Sequence, residues 1–404
     1  MSEFTVEISR PGEFGALTSA TLELPATQAE YHDAMEKART TDYKVTYSTE
    51  LLDCKRGWLR PHIPKNANLL ELNLLAIRME KNIKDEIDVF EGMVKIETER
   101  NGGEPVPLPR LINMTFSIDN CHVAYGIHND EALGKFLFDN DMLSDEDYKA
   151  AQIHPALNLF DPGRIHLFGK KHREAENGVF SSVGYVEIET VNEVYIPGEM
   201  AYFNNSGAPV VLEISKGHFN DPGYDNDMTF TVDLPEMRGK RLIDVLEKVE
   251  AASLEEIGYR CIDCLIPAAK ELIDDAEDIE AVNRFAEALA KLQRRILPVR
   301  YKAMLEAVKP SDLESATRLV ADADQYTLDD KMSGPEDYAR EYLSRLEGGD
   351  ERIDLSKLVN PYALGEQVMK LENAAWTSYG VLKRKDGGSI QARGQNPAGP
   401  EMKL

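Results

Sequence analysis

A helical pattern of apolar positions within Asn68–Glu97 is the clearest signal in the chain. Four apolar side chains recur there at i, i+3, i+4 and i+7, a spacing that places them on one face of a helix: Leu72, Leu75, Ala76 and Met79. The same spacing returns 210 residues later at Val282, Phe285, Ala286 and Leu289. A second helical pattern follows each of them, and these two match at an offset of 211. The sequence therefore predicts the same helical core twice.

Shorter matches on both sides of the helical core keep the same order along the chain. Their offsets lie between 211 and 196 residues, a drift that changes in loop length absorb at little entropic cost. The pattern predicts a tandem duplication. The matched segments are Glu7–Arg10 with Glu213–Lys216, Thr21–Pro25 with Thr231–Pro235, Ala34–Ala38 with Val245–Val249, Leu133–Lys135 with Tyr338–Arg340, and Phe180–Gly184 with Trp376–Gly380.

The first 60 or so residues predict a small α+β unit. Apolar and polar residues alternate in Phe4–Ser9 and again in Ala20–Leu24, which predicts a β-hairpin. Thr27, with Glu30 three residues later, predicts a capping box at the start of a helix. Tyr43–Ser48 is predicted to be a third strand.

The rest of the chain also contains both helical and strand patterns. The predicted fold class is therefore α+β, with helices and strands in both copies. In the first copy they predict a strand at His122–Ile127, a helix at Asp130–Phe138 and a hairpin at Gly178–Glu189. The predicted segments of the first copy are a β-rich domain (1–64), a helical domain (65–105) and an α+β domain (106–203). Those of the second copy are 204–275, 276–308 and 309–384 in the same order, followed by a disordered tail at 385–404.

The charge of the chain is strongly acidic and is spread over its whole length. The formal net charge is −25, and residues 1–200 hold 34 acidic against 20 basic side chains. This balance excludes nucleic-acid binding through the overall field, which requires clustered Lys and Arg, and it favours basic partners. Solubility is the alternative explanation for the charge.

Acidic residues are densest in three segments. Residues 119–147 contain eight acidic side chains against Lys135 alone, and residues 185–236 contain ten against Lys216 alone. A third cluster lies at 274–280 in the second copy. A helix face that is simply exposed to water is the alternative explanation for each of these three segments.

The sequence predicts no catalytic centre, no metal site and no cofactor. The dinucleotide, phosphate-loop, zinc-protease and serine-hydrolase motifs are absent from it. Cys261 and Cys264 form a lone C-x-x-C without a second pair at zinc spacing, so both are predicted to be partly buried thiols. No apolar run reaches the roughly 18 residues that span a membrane. We expect a protein of the bacterial cytoplasm.

Several short motifs follow one another in a characteristic order along the chain: Leu24–Pro25, Glu71–Ala76, Asp119–Asn120, Asp130–Gly134 and the hairpin Phe180–Tyr185. In this order they resemble the ArdA antirestriction proteins of phages, plasmids and conjugative transposons. The resemblance covers residues 1 to about 190 and, more faintly, 205–384. It implies an elongated α+β protein whose small domains follow one another in a row.

The resemblance also implies a function without catalysis. Family members resemble bent B-form DNA, dimerise, and occupy the DNA-binding groove of type I restriction–modification enzymes. The expected partner is thus the methyltransferase core of such an enzyme, with no direct nucleic-acid or membrane binding. Two copies in one chain allow either a monomeric pseudo-dimer or a homodimer.

Duplex DNA carries one charge per roughly 1.7 Å of axis, so a mimic needs carboxylates at comparable density. An acidic adaptor of the same mobile elements, without antirestriction activity, is the alternative function, and a hydrolase with scattered carboxylates is the enzymatic one. The predicted phosphate-mimicking residues are Asp119, Asp130, Glu131, Asp139, Asp141, Asp145, Glu146, Asp147, Glu187, Glu189, Asp274, Asp275, Glu277, Asp278 and Glu280.

Overall fold

The fold is α+β, with helices and small antiparallel sheets, in a computed structural model of the chain. The structure describes residues 2–11, 17–40, 46–154, 159–203, 207–217, 219, 229–235, 240–276, 278–293, 298–346 and 360–390. The chain forms two compact units. Unit 1 comprises Met1–Val6, Glu23–Pro25 and Thr49–Phe203, and unit 2 comprises Glu7–Leu22, Ala26–Ser48 and Asn204–Leu404.

Three N-terminal strands form the first sheet, in the order β2-β1-β3. Strands β1 (Phe4–Pro11) and β2 (Leu17–Leu24) confirm the predicted hairpin. The third strand was predicted too early in the sequence, because β3 spans Ser48–Cys54. Residues 43–45 of the predicted strand lie outside the described residues. The β-branched and aromatic residues before Ser48 suggested a strand, but strand pairing is decided by non-local partners.

Helix α1 (Gln28–Lys37) starts at the predicted capping box. The Thr27 hydroxyl accepts a hydrogen bond from the Glu30 N–H at 3.2 Å, and the Thr27 N–H donates to the Glu30 carboxylate at 2.8 Å. These two bonds satisfy backbone donors that the first helical turn leaves free. The helix residues belong to unit 2.

Unit 1 is built around the predicted apolar helix, which is α2 (Leu69–Lys81). Asn68 caps it, and Leu72 and Leu75 on its apolar face are completely buried. The other helices of this unit are α3 (Ile87–Arg100), α4 (Leu108–Met114), α5 (Asp130–Asp139), α6 (Asp145–Ala151) and α7 (Pro162–Glu176). Its later strands are β4 (Cys121–Tyr125), β5 (Gln152–His154), β6 (Leu159–Phe160), β7 (Val179–Phe180) and β8 (Gly184–Ile188).

Strands β7 and β8 confirm the predicted hairpin within Gly178–Glu189, and β4 joins them in the sheet order β4-β8-β7. Strands β5 and β6 form a separate pair. Helices α5 and α7 pack against each other at Gly134 and Gly169. A Cβ atom on Gly169 would lie 2.0 Å from the Asp130 carbonyl oxygen, so only glycine allows this approach.

Unit 2 has one large core that contains the second predicted apolar face, with Val282, Phe285, Ala286 and Leu289 all fully buried. Its helices are α8 (Lys240–Lys248), α9 (Lys270–Asp274), α10 (Ile279–Gln293), α11 (Pro298–Val308), α12 (Leu313–Ala321), α13 (Pro335–Leu346) and α14 (Pro361–Leu371). Its strands are β9 (Val210–Lys216), β10 (Phe230–Leu234), β11 (Ile257–Cys264), β12 (Tyr326–Asp329), β13 (Ala375–Thr377) and β14 (Gly380–Arg384). The sheet orders are β10-β9-β11 and β12-β14-β13.

The predicted division into six domains and a tail stays a prediction. The two compact units are a coarser division, and each combines segments that are distant in the chain. Residues 391–404 of the predicted tail lie outside the described residues.

Candidate acidic interface

Six of the predicted carboxylates in unit 1 are both exposed and without an ion pair to another described residue. One lies in the short 3-10 turn before β4, one in the first turn of α5, and the others from the end of α5 to the first turn of α6. Asn129 and Ser144 cap the two helices. The six residues are Asp119, Glu131, Asp139, Asp141, Asp145 and Glu146.

Asp130 and Asp147, from the same segment, are instead paired with helix α7. Arg173 donates two hydrogen bonds to Asp130, at 2.7 and 3.1 Å, and Lys171 lies 2.9 Å from Asp147. The hydrogen bonds from these cations hold the pKa of each carboxyl below its ordinary value. Their charge is thus compensated within unit 1.

The two predicted carboxylates around β8 also have partners. The side chain of Glu187 is half-buried and accepts hydrogen bonds from His172 at 3.0 Å and from the Tyr185 hydroxyl at 2.8 Å. Burial alone would raise the pKa of Glu187, but these hydrogen bonds lower it. Glu189 is exposed and pairs with His122 at 2.8 Å.

The third acidic cluster lies between helices α9 and α10 of unit 2. Asp274 accepts a hydrogen bond from the Cys261 backbone N–H at 2.6 Å, and the Asp278 carboxylate accepts from the Glu280 N–H at 2.8 Å. Asp278 also lies 3.8 Å from Arg284. Carboxylates stabilise the positive N-terminal end of a helix. Asp278 and Glu280 therefore stabilise the start of α10, although both are exposed. Asp275 is exposed, and Glu277 lies outside the described residues.

Two exposed carboxylates of unit 2 were missed by the sequence analysis. Asp324 is the middle residue of the 3-10 turn before β12, just as Asp119 is the middle residue of the turn before β4. Glu336 is the second residue of α13, as Glu131 is of α5. Neither forms an ion pair with a described residue. Both could have been predicted, because the offset that relates Leu133 to Tyr338 also relates Asp119 to Asp324 and Glu131 to Glu336.

The described residues contain no group of three or more His, Cys, Asp or Glu side chains arranged to hold a metal ion. Cys261 is partly buried and Cys264 fully buried, both as free thiols. No helix in the described part of the chain is long and apolar enough to cross a membrane. No protein-family model matches the chain, and no curated protein matches it either.

Proposed function

We propose that this protein is an antirestriction protein of a phage or other mobile element. Its exposed carboxylates take the place of DNA phosphates and occupy the DNA-binding groove of a type I restriction–modification enzyme. The protein itself performs no catalysis, and its partner is the methyltransferase core of that enzyme.

Uncompensated carboxylates at matching positions of both units carry this proposal. Asp119 and Asp324 stand in equivalent turns, and Glu131 and Glu336 stand in equivalent first turns of helices. All four are exposed. Charge that serves solubility alone needs no fixed positions, whereas a charge pattern that is read by a partner needs them.

We also propose that the chain is a tandem repeat, and similar local structures in both halves support this. Each half has a three-stranded sheet in which the first strand lies in the middle, and a second sheet with its last strand in the middle. Gly365 in α14 lies against the carbonyl oxygen of Pro335, the first residue of α13, as Gly169 in α7 lies against that of Asp130, the first residue of α5. The repeat places the matched carboxylates in two equivalent settings.

The proposal predicts competition with DNA. We expect the full-length protein to bind a type I methyltransferase core, and a duplex with the recognition site to displace it. Because the contacts are between exposed charges, affinity should fall about tenfold or more between about 50 and 200 mM salt. Fluorescence anisotropy of the labelled protein measures both effects, and phage plating on a restricting host measures the activity. An affinity that does not change with added duplex or with salt would contradict the proposal.

A second prediction concerns how the binding energy is divided. Single neutralisations such as Asp119→Asn should each cost about 1 kcal/mol or less, since exposed charge pairs contribute little individually. The quadruple variant of Asp119, Asp324, Glu131 and Glu336, each changed to its amide, should lose several times that amount. Its affinity is measured in the same anisotropy assay.

A matched control removes four other exposed charges of unit 1, in Glu80, Asp85, Glu86 and Asp88. It changes the net charge equally and should weaken binding less than the first quadruple variant. Equal losses would show that only total charge matters. If one single neutralisation abolished inhibition in a folded protein, a discrete site would replace the distributed one.

A second candidate function is that of an acidic adaptor. The local pairing of Asp130, Asp147 and Asp278 favours it, because these carboxylates already stabilise helices of their own unit. An adaptor would give no protection in the phage assay.

A further inference from the structure

Unit 1 contains a cavity between its second sheet and helices α5 and α7. Its volume is about 390 Å³, within the range of small-molecule sites. The sheet contributes Tyr185 and Glu187, and the cross-strand register pairs them with Ala124 and His122. Cys121 and Val123 of β4 also line it, so the cavity reaches the edge of the sheet, where β4 is the outer strand.

The walls of the cavity are largely apolar. Helix α5 supplies Leu133, Phe136 and Leu137, and Met142 follows from the loop after it. Leu133 and Leu137 are almost completely buried within a cluster that also contains Ala124 and Tyr185. Such walls favour the apolar body of a ligand.

One end of the cavity is polar and is lined by His122, His172 and Glu187. The Glu187 carboxylate lines it and receives both the His172 and the Tyr185 hydrogen bonds on the same oxygen, Oε2. No described residue donates a hydrogen bond to its other oxygen, Oε1. A carboxylate has about four acceptor positions, so Glu187 keeps acceptor capacity for a further donor.

Two of the wall positions on α5 have bulkier counterparts in unit 2. Tyr338 and Tyr342 of α13 stand where α5 has Leu133 and Leu137, at the same offset of 205 residues. Tyr338 is fully buried in its cluster, and its hydroxyl bonds to Glu372. At the matching position of Tyr185, unit 2 holds the smaller Val381, so the aromatic ring comes from the sheet in unit 1 and from the helix in unit 2.

We propose that this cavity binds a small amine, with the apolar body against Leu133 and Leu137 and the ammonium group on Glu187. A cation is favoured over an anion because the Glu187 carboxylate keeps an acceptor position on Oε1. The positive or protonatable side chains nearby already have carboxylate partners: His172 bonds to Glu187, His122 to Glu189 and Arg173 to Asp130. The site is separate from the exposed carboxylates proposed to contact the restriction enzyme.

Isothermal titration calorimetry with the full-length protein tests this assignment. Tryptamine is the probe, indole-3-acetate is its anionic counterpart and 3-methylindole its neutral one. We expect tryptamine to bind with a Kd below about 1 mM, or better than about −4 kcal/mol, and indole-3-acetate to bind at least about tenfold more weakly, a difference of about 1.4 kcal/mol.

Two variants test separately what the apolar walls and the carboxylate contribute to binding. Leu133→Tyr introduces the residue found at the matching position of unit 2 and should abolish binding of tryptamine and of 3-methylindole. Glu187→Gln should weaken tryptamine at least about tenfold while leaving 3-methylindole unchanged. Glu80→Gln, which removes an exposed charge of the same unit away from the cavity, is the control and should bind tryptamine normally.

Thermal unfolding of each variant shows whether it is folded before binding is compared. Equal binding of tryptamine and indole-3-acetate, or tryptamine binding by a folded Leu133→Tyr variant, would overturn the assignment. Absence of heat with tryptamine up to several times the expected Kd would overturn it too. None of these results depends on the antirestriction assay.

Discussion

Replacement of Lys302 by methionine is expected to destabilise unit 2 by about 3–5 kcal/mol, the usual cost of breaking a buried ion pair from one side. Lys302 of α11 is 3% exposed and lies 3.0 Å from Asp33 and 2.7 Å from Glu36, both on α1. The Tyr379 hydroxyl also donates to Asp33, at 2.8 Å. Without the ammonium group, the two carboxylates keep their desolvation cost but lose their main partner.

Fluorescence of Trp376, which lies in β13 of unit 2, reports the urea unfolding of this unit if Trp58 of unit 1 is first changed to phenylalanine. The control is Lys37→Met. Lys37 pairs with the same Asp33 at 2.8 Å, but its side chain is 36% exposed, so its loss should cost about 1 kcal/mol or less. If Lys302→Met cost no more than Lys37→Met, the buried network would not stabilise unit 2.

The pH dependence of this difference follows from Asp33. Burial raises the pKa of Asp33, but Lys302 and Lys37 outweigh it and lower the pKa below 3.8. A lowered folded-state pKa means that the contribution is present above the unfolded pKa and is lost as pH falls through the folded one. The gap between wild type and Lys302→Met should therefore shrink below about pH 4.

Gly169→Ala is expected to destabilise unit 1 by about 3 kcal/mol or more, the upper range for overpacking. In an exposed helix the same change would stabilise by about 0.5–1 kcal/mol. At Gly169, however, the new Cβ would lie 2.0 Å from the Asp130 carbonyl oxygen and 2.5 Å from the Gly134 nitrogen. Both are backbone atoms, so helices α5 and α7 would have to separate.

Thermal unfolding and hydrogen exchange of the α5 amides measure the effect. Gly163→Ala in the first turn of α7 is the matched control, because its Cβ would meet only the Asp161 carboxylate, at 3.3 Å. It should be close to neutral. Gly169→Ala should also weaken the proposed antirestriction activity, since α5 carries Glu131 and Asp139. A fully stable Gly169→Ala protein would show that the two helices can shift without loss.

The matching change in the other unit checks the repeat. A Cβ atom on Gly365 would lie 1.8 Å from the Pro335 carbonyl oxygen. Gly365→Ala should therefore destabilise unit 2 to a similar degree, while unit 1 keeps its stability.

Local chemistry was enough to determine several elements of this protein from its sequence. Helix α2 follows from the spacing of Leu72 and Leu75, and the start of α1 follows from the capping pair Thr27 and Glu30. These predictions were confirmed because their causes lie within one or two helical turns. The acidic charge is likewise a property of composition alone.

Only the tertiary structure decided which unit each segment belongs to and which carboxylates are free. Helix α1 belongs to unit 2, where its Asp33 and Glu36 meet Lys302, far away in the sequence. Glu187, predicted to be a surface charge, instead bonds to His172 and lines a cavity. The physical reason is that burial and ion pairing are set by neighbours in space. A sequence shows that a carboxylate is present, but not whether a cation from another element neutralises it.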